Sequence, residues 1–117
     1  MPRILIVDDE RAILALLSAA FRSAGYEVRT AADGNEALGL CASESFDVVL
    51  SDVVMPSING HDLVQSIATR YPTTRTVLMS GFDMGCEGCP LSPRCQMLPK
   101  PFRPSEVVSA VNRMLAG

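Results

Sequence analysis

The chain has 117 residues, 48% of them hydrophobic, which suits one domain with enough apolar material to bury a core without disulfide or metal staples. Ten basic residues scattered against thirteen acidic ones, for a formal net charge of −3, give no electrostatic footprint for a nucleic-acid backbone. The length leaves no room for a second domain, and the first apolar run, Ile4 to Val7, is too short for a signal peptide or a membrane span, so the expectation is a cytoplasmic single domain over 1–117 with neither a nucleic-acid nor a membrane partner.

Arg3 to Val7 reads as a short aliphatic strand that ends abruptly in Asp8, Asp9 and Glu10. Ile13, Leu17, Ala20, Phe21 and Ala24 then recur at helical spacing, with Gly25 placed as a left-handed stop. Tyr26 to Thr30 alternates as a second strand. Asp33 and Glu36 form an N-cap and its capping-box acid, opening a helix that turns Ala37, Leu38 and Cys41 inward. Cys41 on that stripe is a small core residue.

The run Asp47 to Met55 is apolar and β-branched, which predicts a strand buried on both faces of a parallel sheet. Asp52 interrupts it. A carboxylate there is tolerable only if the strand is ending and delivers it to a polar crevice. Pro56 to Gly60 is a loop with Asn59 as a cap, and the following helix buries Leu63, Val64, Ile67 and Tyr71 before Pro72 stops it. His61, in its first turn, reads as neutral and exposed. Arg75 to Met79 is a fourth strand ending in Ser80 and Gly81. Gln96 to Leu98 is a fifth, followed by Lys100 and a helix from Pro104 with Val107, Val111, Met114 and Leu115 inward.

Strands alternating with helices predict an α/β fold, a doubly wound five-stranded parallel sheet with right-handed crossovers. The ends of strands one, three, four and five should then bring Asp8 and Asp9, Asp52, Ser80 and Lys100 together at the carboxyl edge. Carboxylates grouped this way suit a hard divalent cation such as Mg2+, and a lysine opposite them suits an anion. An acid placed between metal and lysine can attack phosphorus to form an aspartyl phosphate, with Ser80 donating its hydroxyl to it.

Taken together, Val7-Asp8-Asp9-Glu10, Asp52 with Met55-Pro56 and Gly60, Ser80-Gly81 and Lys100-Pro101-Phe102 resemble the receiver domains of two-component response regulators, the CheY-like superfamily. The resemblance covers essentially the whole chain. It implies a flavodoxin-like sheet of strand order 2-1-3-4-5, Asp52 as phosphoacceptor, and Asp8, Asp9 and the Val54 carbonyl as magnesium ligands beside Asp52. It further implies Ser80 as switch hydroxyl, Lys100 as phosphate contact and a cis Lys100-Pro101 bond. The implied partners are a sensor histidine kinase or histidine phosphotransfer protein and an unknown downstream protein. The implied role is signalling rather than turnover, so the chain is not expected to be an enzyme beyond hydrolysing its own aspartyl phosphate.

Two departures stand out. Met97 replaces the aromatic residue the family carries three positions before the lysine. The stretch Gly81 to Cys95, where the family has its fourth helix, holds three cysteines among glycines and prolines and is expected to be largely loop. Cys86, Cys89 and Cys95 motivate an alternative: a metal- or redox-sensing module on a receiver scaffold, holding Zn2+ or an iron-sulfur cluster. His61 would be the nearest fourth ligand. The bland alternative is packing, or a preparative disulfide.

Overall fold

The computed structural model describes residues 2–52, 60–80, 95–99 and 103–116, of which 60, 61, 80 and 95–99 are described by backbone alone. In chain order the elements are β1 (Arg3–Val7), α1 (Arg11–Ser23), β2 (Glu27–Ala31), α2 (Gly34–Ser43), β3 (Val48–Asp52), α3 (Gly60–Arg70), β4 (Arg75–Ser80), β5 (Cys95–Pro99) and α4 (Pro104–Ala116). The strands form one parallel sheet ordered β2-β1-β3-β4-β5.

Alternation along the strands sorts the core into two layers, because successive side chains leave a strand on opposite faces. Ile4, Ile6, Val48, Leu50, Val77 and Met79 pack on one face with Leu17 and Phe21 of α1 and with Val107 and Val111 of α4. Leu5, Val7 and Val49 pack on the other with Ala37 and Cys41 of α2 and with Leu63 and Ile67 of α3. Every residue of β3 is buried, as expected for a central strand covered by helices on both sides.

Several boundaries fall differently from the sequence expectation. The third strand begins at Val48 rather than Asp47 and is described as far as Asp52. Asp47 is exposed, and its carboxylate accepts the Arg3 backbone N–H at 2.7 Å. Positions 53–59, including the expected Asn59 cap, lie outside the described residues. β2 starts at Glu27, not Tyr26, because the Tyr26 amide bonds back to the Phe21 carbonyl at 3.0 Å and closes the end of α1. Ala24 is exposed beyond that helix, and Gly25 follows with φ 93°, the left-handed stop. α3 ends at Arg70, and Tyr71 packs on the second core layer from just beyond it. The capping box of α2 forms with a shift. Asp33 accepts from the Glu36 amide at 2.8 Å, while the Glu36 carboxylate reaches the Ala32 amide at 3.4 Å instead of the cap itself.

The amino edge of the sheet carries an ion network with no local signature in the sequence. The Arg3 guanidinium pairs with Glu27 at 3.1 Å and with Glu44, donates to the Ser45 carbonyl at 3.0 Å and lies 5.4 Å over the Phe46 ring. Arg29 meets Glu44 at 3.1 Å. Desolvation pushes the Glu44 carboxyl up, and the hydrogen bonds and charges of Arg29 and Arg3 outweigh it, holding the group below its ordinary value.

Candidate functional site

Register builds the site. β1 pairs with β3 so that Val7 faces Ser51, and the next residue on each strand is therefore Asp8 and Asp52, side by side where both strands end. In a sheet of this order, β1 and β3 flank the point where the winding reverses, and the crevice outside their carboxyl ends is open to ligands. Asp8 is fully buried, Asp52 is 7% exposed and Asp9 is exposed. Each offers a carboxylate oxygen, and the three oxygens lie within 4.8 Å of one another.

Asp8 is held on both sides. Its backbone N–H donates to the Ala31 carbonyl at 3.1 Å, and its Oδ1 accepts the Glu10 backbone N–H at 2.9 Å. That second bond occupies a backbone donor at the head of α1, where Glu10 is the N-cap residue and makes no side-chain cap of its own. Glu10 is exposed and outside the cluster, so of the three consecutive acids only Asp8 and Asp9 join Asp52. Asp52 stands at the end of a strand fixed by β1 and β4, opposite Met79.

The donor set fits a hard divalent cation. Three carboxylates converging from two adjacent strand ends, two of them buried and one facing solvent, supply oxygen ligands while leaving an open side. Ser80 ends β4 opposite Pro99 of β5, which puts its backbone at the same edge of the sheet. Its side chain, together with Val54 and Lys100, lies outside the described residues, as do the Lys100-Pro101 bond, Cys86, Cys89 and the side chains of His61 and Met97. Cys95 opens β5 opposite Thr76, at the far end of the sheet from Asp52. Cys41 is a buried free thiol in the second core layer, as its stripe implied, and burial raises its pKa.

One buried polar residue beside the cluster escaped the sequence reading. Ser51 is fully buried and donates its hydroxyl to the Asp52 carbonyl at 3.0 Å. Its place in an otherwise apolar run, immediately before the key acid, was the available signal.

A flavodoxin-like parallel α/β domain with an acidic crevice at the β1/β3 edge is a frame shared by many proteins, and comparison with known ones narrows it. Residues 4–112 match the response regulator receiver domain, and the chain belongs to that family of two-component signalling domains. It is 37% identical to the DNA-binding transcriptional regulator NtrC of Azospirillum brasilense, over 96% of this chain and 24% of that protein. It is 34% identical to the sensor kinase CckA of Brucella abortus, over 96% of this chain and 12% of that one. The chain thus spans a quarter or less of the length of these two relatives. Among solved structures, the chemotaxis response regulator CheY4 of Vibrio cholerae matches with TM-score 0.84 at 32% identity, over 97% of this chain and 98% of that one. The response regulator TrrA of Thermotoga maritima, solved in complex with Mg(2+)-BeF, matches with TM-score 0.85 at 31% identity, over 97% and 98% of the two chains.

Proposed function

We propose that the chain is a phosphoacceptor receiver: Asp52 accepts a phosphoryl group from a histidine of a sensor kinase or phosphotransfer protein in the cytoplasm, and the modified domain signals by docking to a downstream protein. The observation that carries this reading is the convergence of Asp8, Asp9 and Asp52 within 4.8 Å at the carboxyl edge of the sheet. Membership of the receiver family, whose domains are signalling modules, supports it.

Asp8, Asp9 and Asp52, with the Val54 carbonyl, would hold Mg2+, which when bound neutralises charge on the phosphoryl oxygens. The protein's own residues divide the remaining work. Asp52, fixed on β3, presents one carboxylate oxygen as the nucleophile. Phosphorus gains the bond to that oxygen and loses its bond to the donor histidine nitrogen. Asp8, buried and anchored to the Glu10 amide, keeps its carboxyl group at a constant position beside it. Lys100 would meet the phosphoryl oxygens as a point charge, and Ser80 would donate its hydroxyl to them. Val54 and Phe82, the residues two beyond the acceptor and two beyond the switch hydroxyl, offer no group to orient a hydrolytic water, so the acyl phosphate should be long-lived.

Incubation with acetyl phosphate and magnesium, read by intact mass, tests the assignment. One phosphoryl adduct is expected in the wild type and none in Asp52→Asn, since an amide is neither nucleophile nor anionic ligand. An adduct that survives Asp52→Asn would place the acceptor elsewhere. Asp9→Asn should raise the magnesium concentration needed for half-maximal labelling.

A further inference from the structure

Charge in this protein is segregated along the strand axis. Each helix of a parallel α/β fold returns the chain to the amino edge, so helix carboxyl ends gather there. Arg22, Arg70 and Arg113 lie in the last turns of α1, α3 and α4, where they complement the helix dipoles. Arg3 and Arg75 open β1 and β4, and Arg29 reaches Glu44 at the same end. Six of the chain's ten basic residues therefore crowd one end, against Glu27, Glu44 and Asp47, in a molecule of net charge −3. The opposite end holds Asp8, Asp9, Glu10, Asp33, Glu36 and Asp52, against Arg11 and Arg103 among the described residues.

The acids of the amino edge are already committed. Glu44 takes Arg3 and Arg29, Glu27 takes Arg3, and Asp47 accepts the Arg3 backbone amide. Arg22, Arg70, Arg75 and Arg113 are exposed, and among the described residues their side chains enter no ion pair or hydrogen bond. Dipole complementation accounts for three of them but not for Arg75, which begins a strand. The surface between them is also concave. A depression of about 270 Å³ has Arg70, Phe46, Tyr71 and Pro72 in its wall, and shares Pro72, Thr73 and Thr74 with a second of about 340 Å³ that includes Arg75. A third, of about 470 Å³, is bounded by Arg3, Arg22, Arg29 and Tyr26.

We propose that this amino edge is a docking surface for an acidic protein segment, whose carboxylates pair with Arg22, Arg70 and Arg75. The continuous hollow across the α3–β4 turn offers seats for its side chains. The acidic opposite end repels such a segment, so the molecule's own field orients the encounter. A partner held here leaves the Asp52 crevice open.

A fluorescein-labelled poly-glutamate peptide titrated into the full chain tests this. Saturable binding that weakens as salt rises is expected, with amide NMR shifts clustered over residues 22–29 and 70–75. The triple variant R22Q/R70Q/R75Q, checked for fold by circular dichroism, should bind at least about tenfold more weakly. R11Q/R103Q, at the other end of the helices, should bind as the wild type does. Absence of saturable binding, binding retained by the triple variant, shifts centred on Asp9 and Asp52, or a tighter grip on duplex DNA than on the peptide would each overturn the proposal.

Discussion

The hydroxyl of Tyr26 donates to the Asn112 side chain across 86 residues of sequence, joining the entrance of β2 to the last turns of α4. The same ring stands edge-on to Phe21, with centroids 4.9 Å apart and planes at 84°. One residue thereby ties the turn that ends α1 to the final helix of the chain. Its stacking and burial come from the ring, and its link to α4 from a single hydrogen bond.

Tyr26→Phe separates the two contributions. The ring contact survives and the hydrogen bond goes, and because Asn112 is exposed and can turn to water, a loss of about 0.5–1.5 kcal/mol is expected in urea denaturation. Burial, followed by the charge of Asp47, raises the Tyr26 pKa. A raised folded value favours the neutral phenol, so its stabilisation is fully present below the unfolded value of about 10 and is lost as pH rises through the folded one. Tyr26→Phe should flatten the alkaline fall in melting temperature.

Gly25→Ala should destabilise through the backbone alone. Nothing lies within 4 Å of where a Cβ would stand, but φ is +93°. A cost of about 1–2 kcal/mol is expected from that conformation. A melting temperature equal to wild type would show that the turn relaxes to negative φ.

Glu44 sets the acid limit of the amino-edge network. Its pKa is lowered in the fold, so its contribution is present above the unfolded value and is lost as pH falls through the folded one, below about 4.3. At 22% side-chain exposure the pairs with Arg3 and Arg29 are partly screened, so the effect should be modest and shrink in high salt. Denaturation followed by circular dichroism should show Glu44→Gln less stable at neutral pH and converging on the wild type below pH 4.

Ser18→Ala should stabilise. The residue is 7% exposed, and its hydroxyl has no hydrogen-bond partner among the described residues. Alanine removes the unsatisfied group and favours the helix, for a gain of about 0.5–1.5 kcal/mol by chemical denaturation. Destabilisation instead would mean that the hydroxyl is satisfied in solution.

Much of this architecture is legible in local pattern. The aliphatic run Ile4 to Val7, the stripe from Ile13 to Phe21 and the box from Asp33 to Glu36 encode short-range geometry, and the structure places those elements within a residue or two. The pairing of Asp8 with Asp52 follows from parallel register once strand order is known. Where the chain departs from expectation, specific hydrogen bonds that hydrophobic pattern does not encode decide. Asp47, just before β3, bonds through its carboxylate to the backbone N–H of Arg3, 44 positions earlier, and the Tyr26 amide is kept from β2 by the Phe21 carbonyl at the end of α1. The Arg3–Glu44–Arg29 network was invisible for the same reason, since no window of sequence contains all three residues side by side. Cys86 and Cys89 lie outside the described residues.

β3 is buried on every residue, wedged between β1 and β4 and roofed by helices on both faces. Close-packed interiors do not yield continuously. Were the charge at Asp52 to change, it would be applied to an anvil: a strand packed on both faces has little room to recoil, and the disturbance would fall on whatever else touches the crevice. The amides of Val49 and Leu50 should be among the slowest to exchange with solvent, and should remain so whichever charge Asp52 carries.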